Sequence, residues 1–224
     1  MGDEDAGRTS LRERKKQQTR IALSWAAIRL TVERGWDNVR VEDIAAEAGV
    51  STRTFNNYFA SKGEAIAARH LDRARLIAAE LRAQPAGKPL WEAVTSAVLT
   101  RFAMEDEGSG GEGSTGGDSG GEGSGPEGAS GQWLAGVRLM VTEPALQAEF
   151  VKAGVAAEAE LAAAIADRTG TDVARDLYPR LVAGAVGAAI TVATDQWLRA
   201  ETPVSMAALL HDALGQLAAG LPQP

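Results

Sequence analysis

Thr52, Arg53, Asn56 and Asn57 are the residues whose types and spacing best suit a chemical task. At 100° per residue, Arg53, Asn56 and Asn57 point roughly one way and Phe55 and Phe59 the other, with Thr52 at the exposed start. A guanidinium pairs with O6 and N7 of guanine, and a carboxamide with N6 and N7 of adenine. The chemistry on offer is therefore hydrogen-bond recognition of base edges. Bond-making chemistry has little to work with. Only His70 and His211 are present, far apart and each beside apolar neighbours, as structural histidines are. No H-E-x-x-H, P-loop or Gly-rich dinucleotide motif occurs. With no Cys, neither a disulfide framework nor a Cys-based zinc site is possible. We expect no catalytic residue, metal or cofactor, and no enzyme; a catalyst on a helical scaffold is the remotest rival.

The elements that must position these groups run from Val41 to Phe59, VEDIAAEAGVSTRTFNNYF. Ile44, Ala45 and Ala48 form the apolar edge of a short helix. Glu42 and Asp43 sit in its first turn, where the helix dipole favours negative charge. Gly49 can leave the helix with positive φ, Val50 plugs the turn, and Ser51 is a good N-cap for a second helix. Two short helices joined by a tight Gly turn have the form of a helix-turn-helix. An ordinary αα-hairpin with a polar outer face fits the same pattern.

The run AGVSTRTFNNYFASKGEAI resembles the signature of the TetR family of regulators, matched by Ala48, Gly49, Val50, Ser51, Thr54, Phe55, Tyr58, Phe59, Lys62 and Ile66. Arg40 stands where that family usually has Thr, and Asn56 where it usually has Tyr. The resemblance implies an all-α chain of about nine helices: an N-terminal three-helix helix-turn-helix DNA-binding domain, then a larger helical ligand-binding and dimerisation domain. It implies bases facing Thr52, Arg53, Asn56 and Asn57, and phosphates held by Arg40, Ser51, Tyr58 and Lys62.

A net charge of −7 suits a DNA binder poorly until it is mapped. Seven acids and no Lys or Arg lie between 105 and 131, so the remainder is balanced. Residues 8–62 carry eleven Lys or Arg against six Asp or Glu. Local charge near the groove governs phosphate affinity. Six of those bases fall between Arg8 and Arg20. Such runs are usually solvated, but one placed just ahead of a DNA-binding unit is expected to lie along phosphates. There is no apolar leader, and no apolar run approaches the ~20 residues of a membrane span, so a cytoplasmic chain without a membrane is expected.

Met1–Gly7 is expected to fray, and a long helix to run from about Leu11 or Arg14 to Arg34 with Ile21, Trp25, Ile28 and Val32 inward. Ser61 and Glu64 fit a capping box that starts a connector helix reaching about Arg82. Pro89 opens a helix carrying Trp91, Val94, Val98 and Phe102. Asp106 to Gly131 is Gly, Ser and Glu, too polar to fold, and is read as a disordered loop. Further helices are expected over Gln132–Val141, Ala145–Arg168, Asp172–Ala200 and, capped by Thr202, Val204 to about Ala219. The domains are 8–60 and 61–224.

Ala183, Gly184, Gly187 and Ala188 on one of the last two helices, and Leu210, Leu214, Leu217 and Leu221 on the other, suit a homodimer interface, which a palindromic double-stranded DNA operator requires. Trp91, Phe102, Trp133, Val137, Met140, Phe150 and Ile190 are candidate walls of a pocket for a small apolar effector. LMVTEPALQAEF is similar to the regulatory domain of TetR members that sense acyl-CoA-like ligands. The expected function is a ligand-responsive dimeric repressor. A DNA-binding dimer without an effector is the rival.

Overall fold

The computed structural model describes residues 3–108, 138–139, 143–200 and 204–221; among them the chain is helical and contains no strand. Eight α-helices are described: α1 Asp3–Arg34, α2 Val41–Glu47, α3 Thr52–Asn56, α4 Lys62–Ala83, α5 Leu90–Gly108, α6 Pro144–Thr169, α7 Tyr178–Arg199 and α8 Met206–Ala218. A short 3-10 turn, Trp36–Asn38, follows α1. The class is all-α, as the sequence implies.

Several boundaries differ from the expected ones. Helix α1 begins at Asp3, not near Leu11. Helix α5 continues to Gly108, and the rest of the low-complexity stretch lies outside the described residues. So do most of Gln132–Val141, of which Arg138 and Leu139 are helical, and the expected cap Thr202. Helix α7 starts at Tyr178 instead of Asp172, because Pro179 lacks an N–H and suits only a first turn. Ahead of it the backbone turns at Asp172, whose N–H donates to Asp176 Oδ2 at 2.8 Å. Ser205 caps α8, its hydroxyl accepting from the Ala208 N–H at 3.3 Å.

The described residues form two compact units, one up to Arg69 together with the described part of 135–150, the other from His70 and from Val151 onward. In the first unit Leu23, Ala27 and Leu30 of α1 are buried with Ile44, Phe55, Phe59 and Ile66. Of the expected stripe Ile28 is buried with them, while the i, i+4, i+7 spacing of these three turns the inner face of α1 so that Trp25 and Val32 stand at its border. Leu146, which the sequence places with the second domain, is fully buried in this first core, with Leu139 and Phe150 packed beside it.

The second unit buries Ile77 and Leu81 of α4, Val94, Val98 and Phe102 of α5, Leu161 and Ile165 of α6, Val182 and Val186 of α7, and Leu210 and Leu214 of α8. Arg168 fastens the turn after α4 by donating to the carbonyls of Gln84, Pro85 and Lys88 at 3.2, 2.6 and 2.6 Å. By length and composition alone α7 could cross a membrane, which corrects the expectation that no run comes close; yet Val182, Ala183, Val186, Ala189 and Ala193 pack its inner face into this core. The burial of Leu146 predicts that Leu146→Ala destabilises the first unit by about 2–5 kcal/mol, read from urea unfolding followed by tryptophan fluorescence.

Candidate nucleic-acid interface and effector cavity

The turn between α2 and α3 is a Schellman motif. The Val50 N–H donates to the Ala45 carbonyl at 2.9 Å and the Gly49 N–H to Ala46 at 3.0 Å. Gly49 has φ 68°, in the left-handed region where a side chain is strained. Ser51 then caps α3, its Oγ accepting from the Thr54 N–H at 3.1 Å. Helix α3 has five residues, too few to be stable on its own. Phe55 and Phe59 hold it, fully buried and in tilted contact with ring centroids 5.7 Å apart.

With those rings inward, Arg53, Asn56 and Asn57 are exposed and Thr52 is partly exposed. Tyr58 is partly buried at the end of the segment. Arg40 is exposed at the N-cap of α2, where its N–H donates to Asp43 Oδ2 at 2.8 Å. Arg53, Asn56 and Asn57 thus share the exposed side of α3, opposite the two rings.

Lys62 is the exception in orientation. Its ammonium donates to the Trp36 carbonyl and, at 2.9 Å, to the Val39 carbonyl, and lies 4.0 Å from the Trp36 ring centroid. It closes the 3-10 turn onto the start of α4. That helix is capped by Ser61 Oγ, which accepts from the Glu64 N–H, while Glu64 accepts from the Ala60 N–H at 2.7 Å. Arg29 and Glu47 pair across α1 and α2. Neither the Lys62 bonds nor the Arg29–Glu47 pair was legible in the sequence, because each spans many residues.

A cavity of about 400 Å³ lies within the second unit, between α4, α6 and α7. Its walls are mostly apolar: Ala74 and Ile77, Ala157 and Leu161, and Gly184 and Ile190. His70, Arg73, Glu158 and Thr191 add polar groups. Of the seven expected pocket residues, Ile190 lines it. Phe102 is instead buried in the core with the Arg73 guanidinium 4.8 Å from its ring centroid, Trp91 packs on that core, and Phe150 packs in the first unit. Trp133, Val137 and Met140 lie outside the described residues.

The small residues read as a dimer stripe, Ala183, Gly184, Gly187 and Ala188, line this cavity. Nothing lies within 4 Å of a Cβ built on Gly184, so the space there is open. Apart from Ile190, the large side chains expected there do not line it: the cavity opens where small residues of three helices leave room beside Ile77, Leu161 and Ile190. His70 was assigned to structure by the sequence, and it too borders the space.

Burial, and then the Arg73 charge, hold the His70 imidazole below its ordinary value of 6.5. His211 is exposed on α8. Among the described residues no group of three or more His, Asp or Glu could hold a metal ion.

A capped helix-turn-helix with a polar outer face, joined to a helical unit with an apolar cavity, defines the class of helix-turn-helix regulators. Residues 25–68 match the family of bacterial regulatory proteins, tetR family, and residues 124–222 match the MftR C-terminal domain. The chain is 32% identical over 195 residues to the HTH-type transcriptional regulator TcmR of Streptomyces glaucescens, covering 86% of this chain and 79% of that one. The chain belongs to the TetR family: it is a DNA-binding transcriptional regulator.

The fold is similar to that of a TetR-family regulator from Rhodococcus sp., with TM-score 0.55, 23% identity, and 92% of this chain and 100% of that chain covered. It is also similar to Thermus thermophilus FadR, a TetR-family repressor solved with lauroyl-CoA, with TM-score 0.52, 17% identity, and coverage of 92% and 96%.

Two outcomes follow from the geometry. Lys62→Met removes two charge-assisted bonds and should cost about 1.5–3 kcal/mol, measured by chemical unfolding. Because folding lowers the His70 pKa, the unfolded chain takes up the proton first as pH falls. Its neutral form is therefore no liability above 6.5, and stability declines below it. His70→Gln should flatten that decline in unfolding measured on either side of pH 6.5.

Proposed function

We propose that the chain is a cytoplasmic dimeric repressor that reads a palindromic operator and is released from it by a small apolar effector. The observation that carries the DNA half is the exposed row Arg53, Asn56 and Asn57, set against the buried Phe55 and Phe59. In this reading Arg53 takes guanine and either Asn takes adenine, with Thr52 beside them. Arg40, Ser51 and Tyr58 hold phosphates. Lys62 adds the one ammonium hydrogen not spent on Trp36 and Val39.

Support for a dimer comes from α7. Leu181 and Val192 are 65% and 61% exposed in the single chain, on the same side of α7 as Ala188; Ala188 and Val192 also border the cavity, so this face adjoins its edge. A second copy of α7 would cover this face. The leucines of α8 do not belong to it, since Leu210 and Leu214 are spent on the chain's own core and Leu217 packs against it. One reading segment contacts few base pairs, so pairing two of them supplies the specificity.

The cavity supports the effector half. Its volume falls in the range that holds a small ligand, and its lining suits an elongated apolar molecule, acyl-CoA-like in its acyl part. An effector bound better by a form with misplaced reading segments lowers operator affinity by that difference. Helix α4, with Lys62 in the first unit and Ile77 in the second, is the covalent route between them.

Binding selection on a random duplex library tests the DNA half, with sedimentation to establish the dimer. A palindrome with half-sites about one helical turn apart is expected. Arg53→Ala should then relax preference at one base position by about 1–3 kcal/mol. No enrichment from a folded dimer would overturn the reading. Gly184→Leu fills the cavity and should leave operator binding intact while abolishing release by a long-chain acyl compound.

A further inference from the structure

Helix α1 is longer than its packing requires. Its buried face begins at Leu23, while every residue from Arg12 to Gln18 is exposed. The backbone nonetheless stays helical back to Asp3. A helix that is polar all round has no core to pack on and serves as a surface for something else. Here the surface is basic: Arg12, Arg14, Lys15 and Lys16 against one acid, Glu13. Among the described residues no ion pair engages any of the four bases.

The position of this overhang within the first unit is fixed by Arg20, whose guanidinium lies 5.4 Å from the centroid of the Phe59 ring. Phe59 closes the segment that presents Arg53, Asn56 and Asn57. From Arg20 back to Arg12 the helix rises about 12 Å, so the four cations lie up to that distance along the axis from the residue that touches Phe59. A helix side chain adds several ångströms of reach. Successive phosphates on one strand are spaced about 3.4 Å along the axis, so that distance amounts to several phosphates.

We propose that this overhang of α1 is a second DNA contact, a sequence-independent clamp on phosphates flanking each half-site. It rests on the DNA-binding reading above but adds a distinct property: affinity should depend on duplex beyond the base pairs that are read. Spacing supports it. Arg12, Lys15 and Lys16 are three and four apart and share one side of the helix, where one strand could meet all three. Neutralised phosphates release counterions, so the clamp should carry a steep salt dependence.

The test compares two duplexes, one trimmed to the selected half-sites and one extended by about a helical turn on each side. The full chain and the variant R12Q/R14Q/K15Q/K16Q are titrated on both across a salt series; Gln keeps helix propensity. Wild type should bind the extended duplex more tightly. The variant should lose that gain, with a slope of log K against log salt shallower by about 0.9 for each phosphate it no longer neutralises. Its affinity for the trimmed duplex should be unchanged. Glu13→Gln, which removes the acid and disturbs no cation, should move the extended-duplex affinity the opposite way.

Equal affinity of wild type for both duplexes, or equal salt slopes for wild type and variant, overturns the clamp while leaving base reading intact. If selection yields no motif, short and long mixed-sequence duplexes take the place of the two probes, since phosphate binding needs no sequence. A length-dependent gain that disappears in the variant then supports the clamp although the operator reading has failed; no gain overturns both.

Discussion

The burial of two phenylalanines governs the rest of the first unit. Helix α3 is too short to hold its shape by hydrogen bonds alone, and both its existence and its facing come from Phe55 and Phe59 entering a core built by α1, α2 and α4. Rotating the segment would expose two aromatic rings and bury Arg53 and the asparagines, a double penalty of forfeited apolar burial and unpaired polar groups. The polar row therefore faces outward because the apolar pair cannot. Gly49 and Ser51 make that facing reachable: one lets the chain reverse in a single left-handed step, the other receives an N–H the new helix would leave unpaired.

The charged residues around this core divide by what they touch. Lys62 turns inward to carbonyls and Arg29 pairs with Glu47 at the surface, and so both serve the shape of the unit. Arg53, Arg40 and the cations of the α1 overhang face water. A cation that donates to two carbonyls is held in one place, whereas one in water keeps its rotamer freedom until a partner arrives. This division shows why the acidic pI of the chain says little about its surface near DNA. The charges that would meet a phosphate are local, and the excess of acids lies between 105 and 131.

In the second unit the same residue type does opposite things on two faces. Alanines at 93, 97 and 164 let helices approach and close the core. Ala74, Ala157 and Gly184 line the space between α4, α6 and α7 beside Ile77, Leu161 and Ile190, and their small size leaves a cavity there. Arg168 keeps the turn after α4 in place at the far end of α6. A rim of His70, Arg73 and Glu158 gives the apolar space a polar border, the usual build of a site that orients a ligand.

By itself the sequence determined what is local. The left-handed Gly49, the Ser51 cap, the Phe55–Phe59 spacing, the Ser61–Glu64 start of α4 and the all-helical class each depend on residues within one or two turns, where periodicity and capping speak directly. Tertiary structure decided everything that needs two distant segments to meet. It rotated the inner face of α1 toward Leu23 and Leu30, and it brought Leu146 into the first core across 80 residues of chain from Ile66. It turned Lys62 onto Trp36 and Val39, and it spent the leucines of α8 on the chain's own core. The pocket was least legible. Its sequence reading looked for bulk, and a cavity depends on bulk being missing from three helices at the one level where they face each other, which no single helix records.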